Sequence, residues 1–261
     1  MLSKPTFINF SREAEIKQPE WIIPGLRAGQ VALVTAPGGT GKSYLLLEIA
    51  MSVASGTTLL PGLEAKTAGK VCLLNFEDDS FDVQQRGNAI LRHFKDLNPS
   101  EENLYVASMS GQTLSLLNSR GEINEEDVLW LKEQCKDMRL VVLDPLSHLH
   151  TADENSASQM SKLVQVLKGI GQETATGIMI SHHTGKAAAL NGQGDLQQSA
   201  RGSSALVDAS RIVMTLHRPK DADSYSLELT WAKLNGVAPI APVRLQRTLS
   251  GVLVESDEIP Y

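Results

Sequence analysis

The sequence predicts an α/β fold, a mostly parallel twisted sheet flanked by helices with an antiparallel extension at its C-terminal end. Three observations carry this. An apolar run from Val31 to Thr35 enters the glycine-rich stretch "APGGTGKS", and helical composition without interior Gly or Pro follows over 43–55. From residue 70 onward, strand and helix patterns alternate, which is the signature of crossover connections in a parallel sheet. From Ser210 the texture changes to short strand patterns with few helical signals.

Taken in order, the first strand and helix are followed by a strand at 70–76, a helix at 80–96, a strand at 103–107 and a helix at 124–136. A strand at 139–144, a helix at 156–174 and a strand at 177–182 complete the alternating part. Asn124 is a good N-cap, and Glu125, Glu126 and Asp127 suit the positive end of the helix dipole behind it. Met160, Leu163, Val164 and Leu167 recur at helical spacing and define one buried face. "RIVMTLHR", "SYSLELTWAKL", "PVRLQRT" and "GVLVES" read as an antiparallel extension of the same sheet. Between the two regimes, residues 185–204 show no periodicity and are rich in Gly, Ala, Gln and Ser, the composition of a functional or mobile loop. Residues 1–20 read as an N-terminal arm and residues 21–261 as one domain.

The 261 residues suffice for a substantial core. A formal charge of −6 argues against a protein that coats duplex DNA electrostatically, while leaving room for a local basic channel. Cys72 and Cys135 have no partner at metal-ligand spacing and read as reduced, buried thiols of a cytoplasmic protein. The N-terminus has no long apolar segment, and Glu48 interrupts the longest one in the chain, so neither export nor a membrane span is expected.

A strand, a loop of small residues and a helix together bring backbone N–H groups and a helix dipole to one place, which is how a phosphate chain is cradled. "APGGTGKS" fits the P-loop pattern GxxxxGK[ST] except for Ala36 at the first glycine, a change that costs little where no positive φ is needed. Pro37, Gly38, Gly39, Thr40 and Gly41 then form the ATP-binding loop, Lys42 meets the β- and γ-phosphates, and Ser43 ligates Mg²⁺. Acidic residues at strand ends supply the rest. "RLVVLD" ends in Asp144, a Walker B pattern whose carboxylate can hold the magnesium shell. "VCLLNFEDD" places Glu77 where it can orient and deprotonate the attacking water, with Asp78 and Asp79 assigned to the start of the next helix. A purely capping role for the cluster is the rival reading. "IMISHHTGK" adds a His pair after an apolar strand, read as a sensor of γ-phosphate, with a metal site and a plain structural pair as alternatives.

This set of elements resembles the RecA-like ATPases, and more closely the RepA family of hexameric replicative DNA helicases of mobilisable plasmids. The resemblance runs from about Trp21 to about Val254 and rests on "APGGTGKS", "FEDD", "VVLDPL", "SHHTGKAA" and "QQSARGSSALVDASR". It implies a RecA-like P-loop core in which Glu77 is the catalytic carboxylate and Asp144 the Walker B acid. His183 then couples γ-phosphate to a DNA-contacting loop, and Arg211 is an arginine finger reaching the ATP of a neighbouring subunit, with Arg201 as the alternative. Other ring helicases carry trans basic residues in a late K-x-R motif; here "WAKLNG" keeps Lys233 and has Asn235 in place of the Arg, which makes Lys233 a helper at the nucleotide. The sequence also departs from the family after the Walker B acid, where Ser147 and His148 replace a basic pair. Lys186 and Arg201 are left as the main candidates for contacting DNA phosphates.

The expected function is an ATP-hydrolysing homo-oligomeric ring, a hexamer by resemblance, that uses ATP and Mg²⁺ and translocates on single-stranded DNA during replication of a mobile element. A replication initiator or primase is the partner this implies. The alternative is a RecA-like switch that assembles with such a partner without unwinding DNA.

Overall fold

β1 (Val31–Ala36) is buried along its whole length, and its side chains divide between two apolar layers: Ala32, Val34 and Ala36 face one, Val31 and Leu33 the other. A strand covered on both faces has this pattern. The structure is a computed structural model describing residues 19–183, 204–220 and 222–256. It repeats the division on β2 (Val71–Asn75) and β4 (Leu140–Asp144), where Leu73 and Val142 join the first layer while Leu74 and Leu143 join the second.

α1 (Lys42–Ser55) and α2 (Ser80–His93) supply the helical side of the first layer. On the opposite face lie α3 (Glu125–Cys135), α4 (Ala157–Thr174) and the short α5 (Ser204–Ala209). With β3 (Leu104–Ser108), β5 (Gly177–His183), β6 (Ile212–His217), β7 (Ser226–Leu234), β8 (Val243–Arg247) and β9 (Leu253–Glu255), the described strands form one sheet. Its order is β3-β2-β4-β5-β1-β6-β7-β8-β9. The pairs from β3 through β6 are parallel and those from β6 onward antiparallel.

The alternating elements expected from sequence are all present. Asn124 caps α3 by accepting from the N–H groups of Glu126 and Asp127, and Met160, Leu163, Val164 and Leu167 form the buried face of α4. One strand corrects the expectation. β6 belongs to the parallel part, running alongside β1 with Ala32 opposite Ile212 and Thr35 opposite Thr215, so the antiparallel extension starts only at β7. The chain's texture changes at Ser210, but strand direction is set by the route into β6 and not by composition. α5 is a further element that sequence periodicity did not reveal, because six residues are too few to show a helical repeat.

Cys72 and Cys135 are free and buried in the second layer, where desolvation pushes their thiols up to about 11 and about 12 respectively. At those values both stay protonated and inert. Of the expected N-terminal arm, residues 1–18 lie outside the described residues, whereas Glu20 pairs with Arg139, whose Nη2 also donates to the Trp21 carbonyl at 2.9 Å. Among the described residues, no helix is long and apolar enough to cross a membrane.

Candidate active site

β1 ends at Ala36, paired with His183 and in extended backbone, so the alanine in the first glycine position of the loop is without strain. Positive φ falls instead on Gly39 (75°) and on Gly41 (107°), the N-cap of α1. A side chain at Gly41 would be strained, which explains the glycine directly before Lys42. Thr40 closes the turn, its Oγ1 donating to the Pro37 carbonyl at 2.7 Å, and Gly38 leaves open space on the outer side. The loop stands at the C-terminal ends of the parallel strands, where open α/β sheets present ligands.

Lys42 is nearly inaccessible, and burial lowers its pKa against the opposing pull of Asp144 and Glu77. Its Nζ lies 3.6 Å from Asp144 Oδ1 and 3.1 Å from His183 Nε2. Asp144 is 1% exposed, which makes its partners decisive. Ser43 Oγ donates to its Oδ2 at 2.9 Å, Asn75 Nδ2 approaches the same oxygen at 3.4 Å, and Ser181 Oγ donates to Oδ1. Glu77 is partly exposed, with its Oε1 at 3.3 Å from His183 Nε2. The structure therefore brings Lys42, Ser43, Glu77, Asp144 and His183 together from four different elements.

Asp79 caps α2 as expected, its side chain accepting from the Asp82 N–H. Asp78 corrects the expectation. It is held in a bidentate pair with Arg86, which keeps its carboxyl well below the usual carboxylate range. Its backbone carbonyl accepts from Ser108 Oγ at 2.7 Å.

Two residues missed in the sequence reading flank the loop. Arg247, at the end of β8, donates to the Gly39 carbonyl at 3.0 Å, and its guanidinium lies 5.9 Å from the Tyr44 ring centre. Arg86 lies at the same distance from that ring. The Tyr44 hydroxyl donates to the Ser250 carbonyl at 2.6 Å, and Gly251, at φ 93°, passes so close that a Cβ there would sit 2.5 Å from the ring. Tyr44, Tyr225, Arg247 and the 248–251 turn line a cleft of about 280 Å³ beside the loop. No local pattern marks Arg247, because some two hundred residues separate it from the loop it touches.

Arg211 and Lys233 lie elsewhere. The Arg211 N–H donates to the Val31 carbonyl at 2.9 Å, so it stands beside the start of β1, whereas the glycine loop follows its end. By strand rise the two are about 16 Å apart. Lys233 Nζ donates to the carbonyls of Val207 and Asp208 at 3.0 and 2.7 Å and so closes the C-terminal end of α5. Neither approaches the phosphate loop of its own chain. Lys186 and Arg201 lie outside the described residues.

The donor set fits magnesium. Ser43 Oγ and the Asp144 carboxylate are hard oxygen ligands, and they already share a hydrogen bond at the mouth of the loop. Among the described residues no cluster of His, Cys, Asp and Glu has the makings of another metal site, which removes the metal reading of the His pair.

Residues 2–189 match the AAA domain family. Among solved structures, the chain is similar to the ATPase domain of a helicase, with a TM-score of 0.61 and 16% identity over 88% of this chain and 86% of that one. It is also similar to the RadB recombinase, with a TM-score of 0.57 and 15% identity over 89% of this chain and 93% of that one. At these identities the likeness is one of fold, and it makes the fold RecA-like.

Proposed function

This chain belongs to the AAA domain family, and on that premise we propose that it binds ATP at the 36–43 loop and hydrolyses it to ADP and phosphate. The observation that carries this reading is the convergence of Lys42, Ser43, Asp144, Glu77 and His183 at one end of the sheet. Mg²⁺ at Ser43 and Asp144 supplies charge neutralisation at the β- and γ-phosphates. The backbone of Pro37 to Gly41 cradles the phosphate chain, and Lys42 adds its cation. Glu77, open to solvent beside His183, orients the attacking water and takes its proton. The cleft lined by Tyr44 and Arg247 adjoins the loop on the side where base and ribose extend.

The finer reading is a homo-oligomeric ring, a hexamer, that moves along single-stranded DNA in replication of a mobile element. Arg211 supports it: an arginine about 16 Å from its own phosphate loop can stabilise a transition state only in another subunit. Lys233 lies in the same region and would assist at that neighbour's nucleotide, while Lys186 and Arg201 would contact the DNA backbone. A replication initiator or primase would load such a ring. A nucleotide-dependent switch that recruits such a partner is the second reading, favoured by the lack of a basic pair after Asp144, where Ser147 and His148 stand. The test is molecular mass and ATPase rate with ATP and Mg²⁺, with and without single-stranded DNA. The motor requires assembly and DNA-stimulated turnover; assembly with turnover indifferent to DNA selects the switch, and no turnover at all refutes the ATPase.

A further inference from the structure

Asn75 is 3% exposed at the end of β2, and every polar atom of its side chain is engaged. Its Oδ1 accepts from the backbone N–H groups of Glu77 at 3.1 Å and Asp78 at 2.7 Å. Its Nδ2 donates to Asp78 Oδ2 at 3.1 Å and lies 3.4 Å from Asp144 Oδ2, the oxygen that also accepts from Ser43. We infer that Asn75 is a positioning residue for hydrolysis: its amide fixes the backbone carrying Glu77 and ties that backbone to the carboxylate of Asp144. This rests on the ATPase reading given above.

The geometry asks for an amide in particular. Two backbone N–H donors converge on one side and two carboxylate oxygens on the other, so the side chain must accept at one end and donate at the other. An aspartate would face Asp78 and Asp144 with a third negative oxygen. An apolar residue would leave two turn N–H groups short of a partner in a buried place. The turn is braced elsewhere, by the Asp78–Arg86 pair, by Ser108, and by the Phe76 N–H donating to the Asp144 carbonyl at 2.8 Å. Removing Asn75 therefore loosens Glu77 without dismantling the strand. A cavity of about 10 Å³ lies between Ser43, Asn75, Arg86 and Asp144, room for a single water. Asn75 consequently also lines the space behind the magnesium ligands.

The full-length chain carrying Asn75→Ala, Asn75→Ser or Asn75→Asp tests this, with thermal melting to confirm folding. For the alanine variant, kcat is expected to fall about 10- to 100-fold, as for loss of an outer-shell partner. Affinity for a fluorescent ATP analogue should change by less than about threefold, and the Mg²⁺ concentration for half-maximal rate should rise. Serine, whose hydroxyl can accept from the N–H two residues on, should restore a large part of kcat, and aspartate should not. Amide exchange of Glu77 and Asp78, followed without nucleotide, should quicken in the alanine variant and recover in the serine variant. Wild-type kcat in Asn75→Ala overturns the inference, as does equal loss of kcat and nucleotide affinity with no rescue by serine. If the wild-type protein hydrolyses no ATP, the ATPase reading fails instead, and unchanged exchange at Glu77 and Asp78 would then refute the positioning of the turn by itself.

Discussion

His183 Nε2 lies 3.1 Å from Lys42 Nζ, and the same nitrogen lies 3.3 Å from Glu77 Oε1. A single ring nitrogen can accept from an ammonium or donate to a carboxylate, but not both at once. His183 therefore has two arrangements, one holding Lys42 in the empty site and one holding Glu77. Phosphates that draw Lys42 away release the imidazole to the carboxylate, which links nucleotide binding to the orientation of the base and to the chain leaving β5. We predict that His183→Ala binds ATP within a few-fold of wild type, turns over roughly 10-fold more slowly or worse, and loses any acceleration by single-stranded DNA. Paired rate measurements with and without DNA check this; a variant that keeps its DNA response would place the coupling elsewhere.

Lys42 and Glu77 should separate binding from chemistry. Lys42→Ala removes the buried cation between Asp144 and the phosphates and should weaken ATP binding by at least about 10²-fold. Glu77→Gln should bind ATP normally and hydrolyse it about 10² to 10⁴-fold more slowly, since an amide cannot accept the proton of water. Titration with a fluorescent nucleotide alongside phosphate release distinguishes the two. Near-normal turnover in Glu77→Gln would move the role of base to another carboxylate.

The place of Arg211 at the far end of the sheet yields a complementation test. Arg211→Ala should assemble and bind ATP but lose about 10³-fold or more in turnover, as when other trans fingers are removed. Mixed with Glu77→Gln under subunit exchange, it should regain part of its activity, because some interfaces then combine a wild-type Glu77 from one chain with a wild-type Arg211 from the other. Absence of recovery despite measured exchange would count against a shared site. An Arg201→Ala mixture run in parallel would reveal whether that arginine is the finger.

Glu48 gives a pH prediction. It is fully buried in α1, its Oε1 accepts from the Leu253 N–H at 2.8 Å, and its Oε2 has no partner, so burial raises its pKa to about 8. A carboxyl that holds its proton more tightly when folded contributes stability that is complete below the unfolded value near 4.5 and is lost as pH rises through about 8. The loss across that window is on the order of a few kcal/mol. Glu48→Gln keeps the acceptor for Leu253 and cannot ionise. Its denaturation midpoint should match wild type near pH 5 and exceed it near pH 9; parallel stability curves for the two proteins would contradict the buried-acid account.

Much of this was legible in the sequence because it is local. The strand, glycine loop and helix from Val31 to Ser55 are contiguous, the caps at Asp79 and Asn124 lie next to the helices they start, and the face of α4 repeats at helical spacing. Strand ends carrying Glu77, Asp144 and His183 could be named for the same reason. Tertiary structure decided the rest. Asn75 looked like an ordinary strand residue until the Glu77 turn folded back onto its side chain and β4 was paired beside it. Arg247 reaches Gly39 only because β7 to β9 extend the sheet and return the chain to the loop. The direction of β6 depended on its pairing with β1, and with it the end of the sheet on which Arg211 stands. Periodicity and capping act over a few residues and are written in neighbouring letters, whereas register, strand direction and the approach of side chains far apart in sequence are settled only when the sheet packs between its two apolar layers.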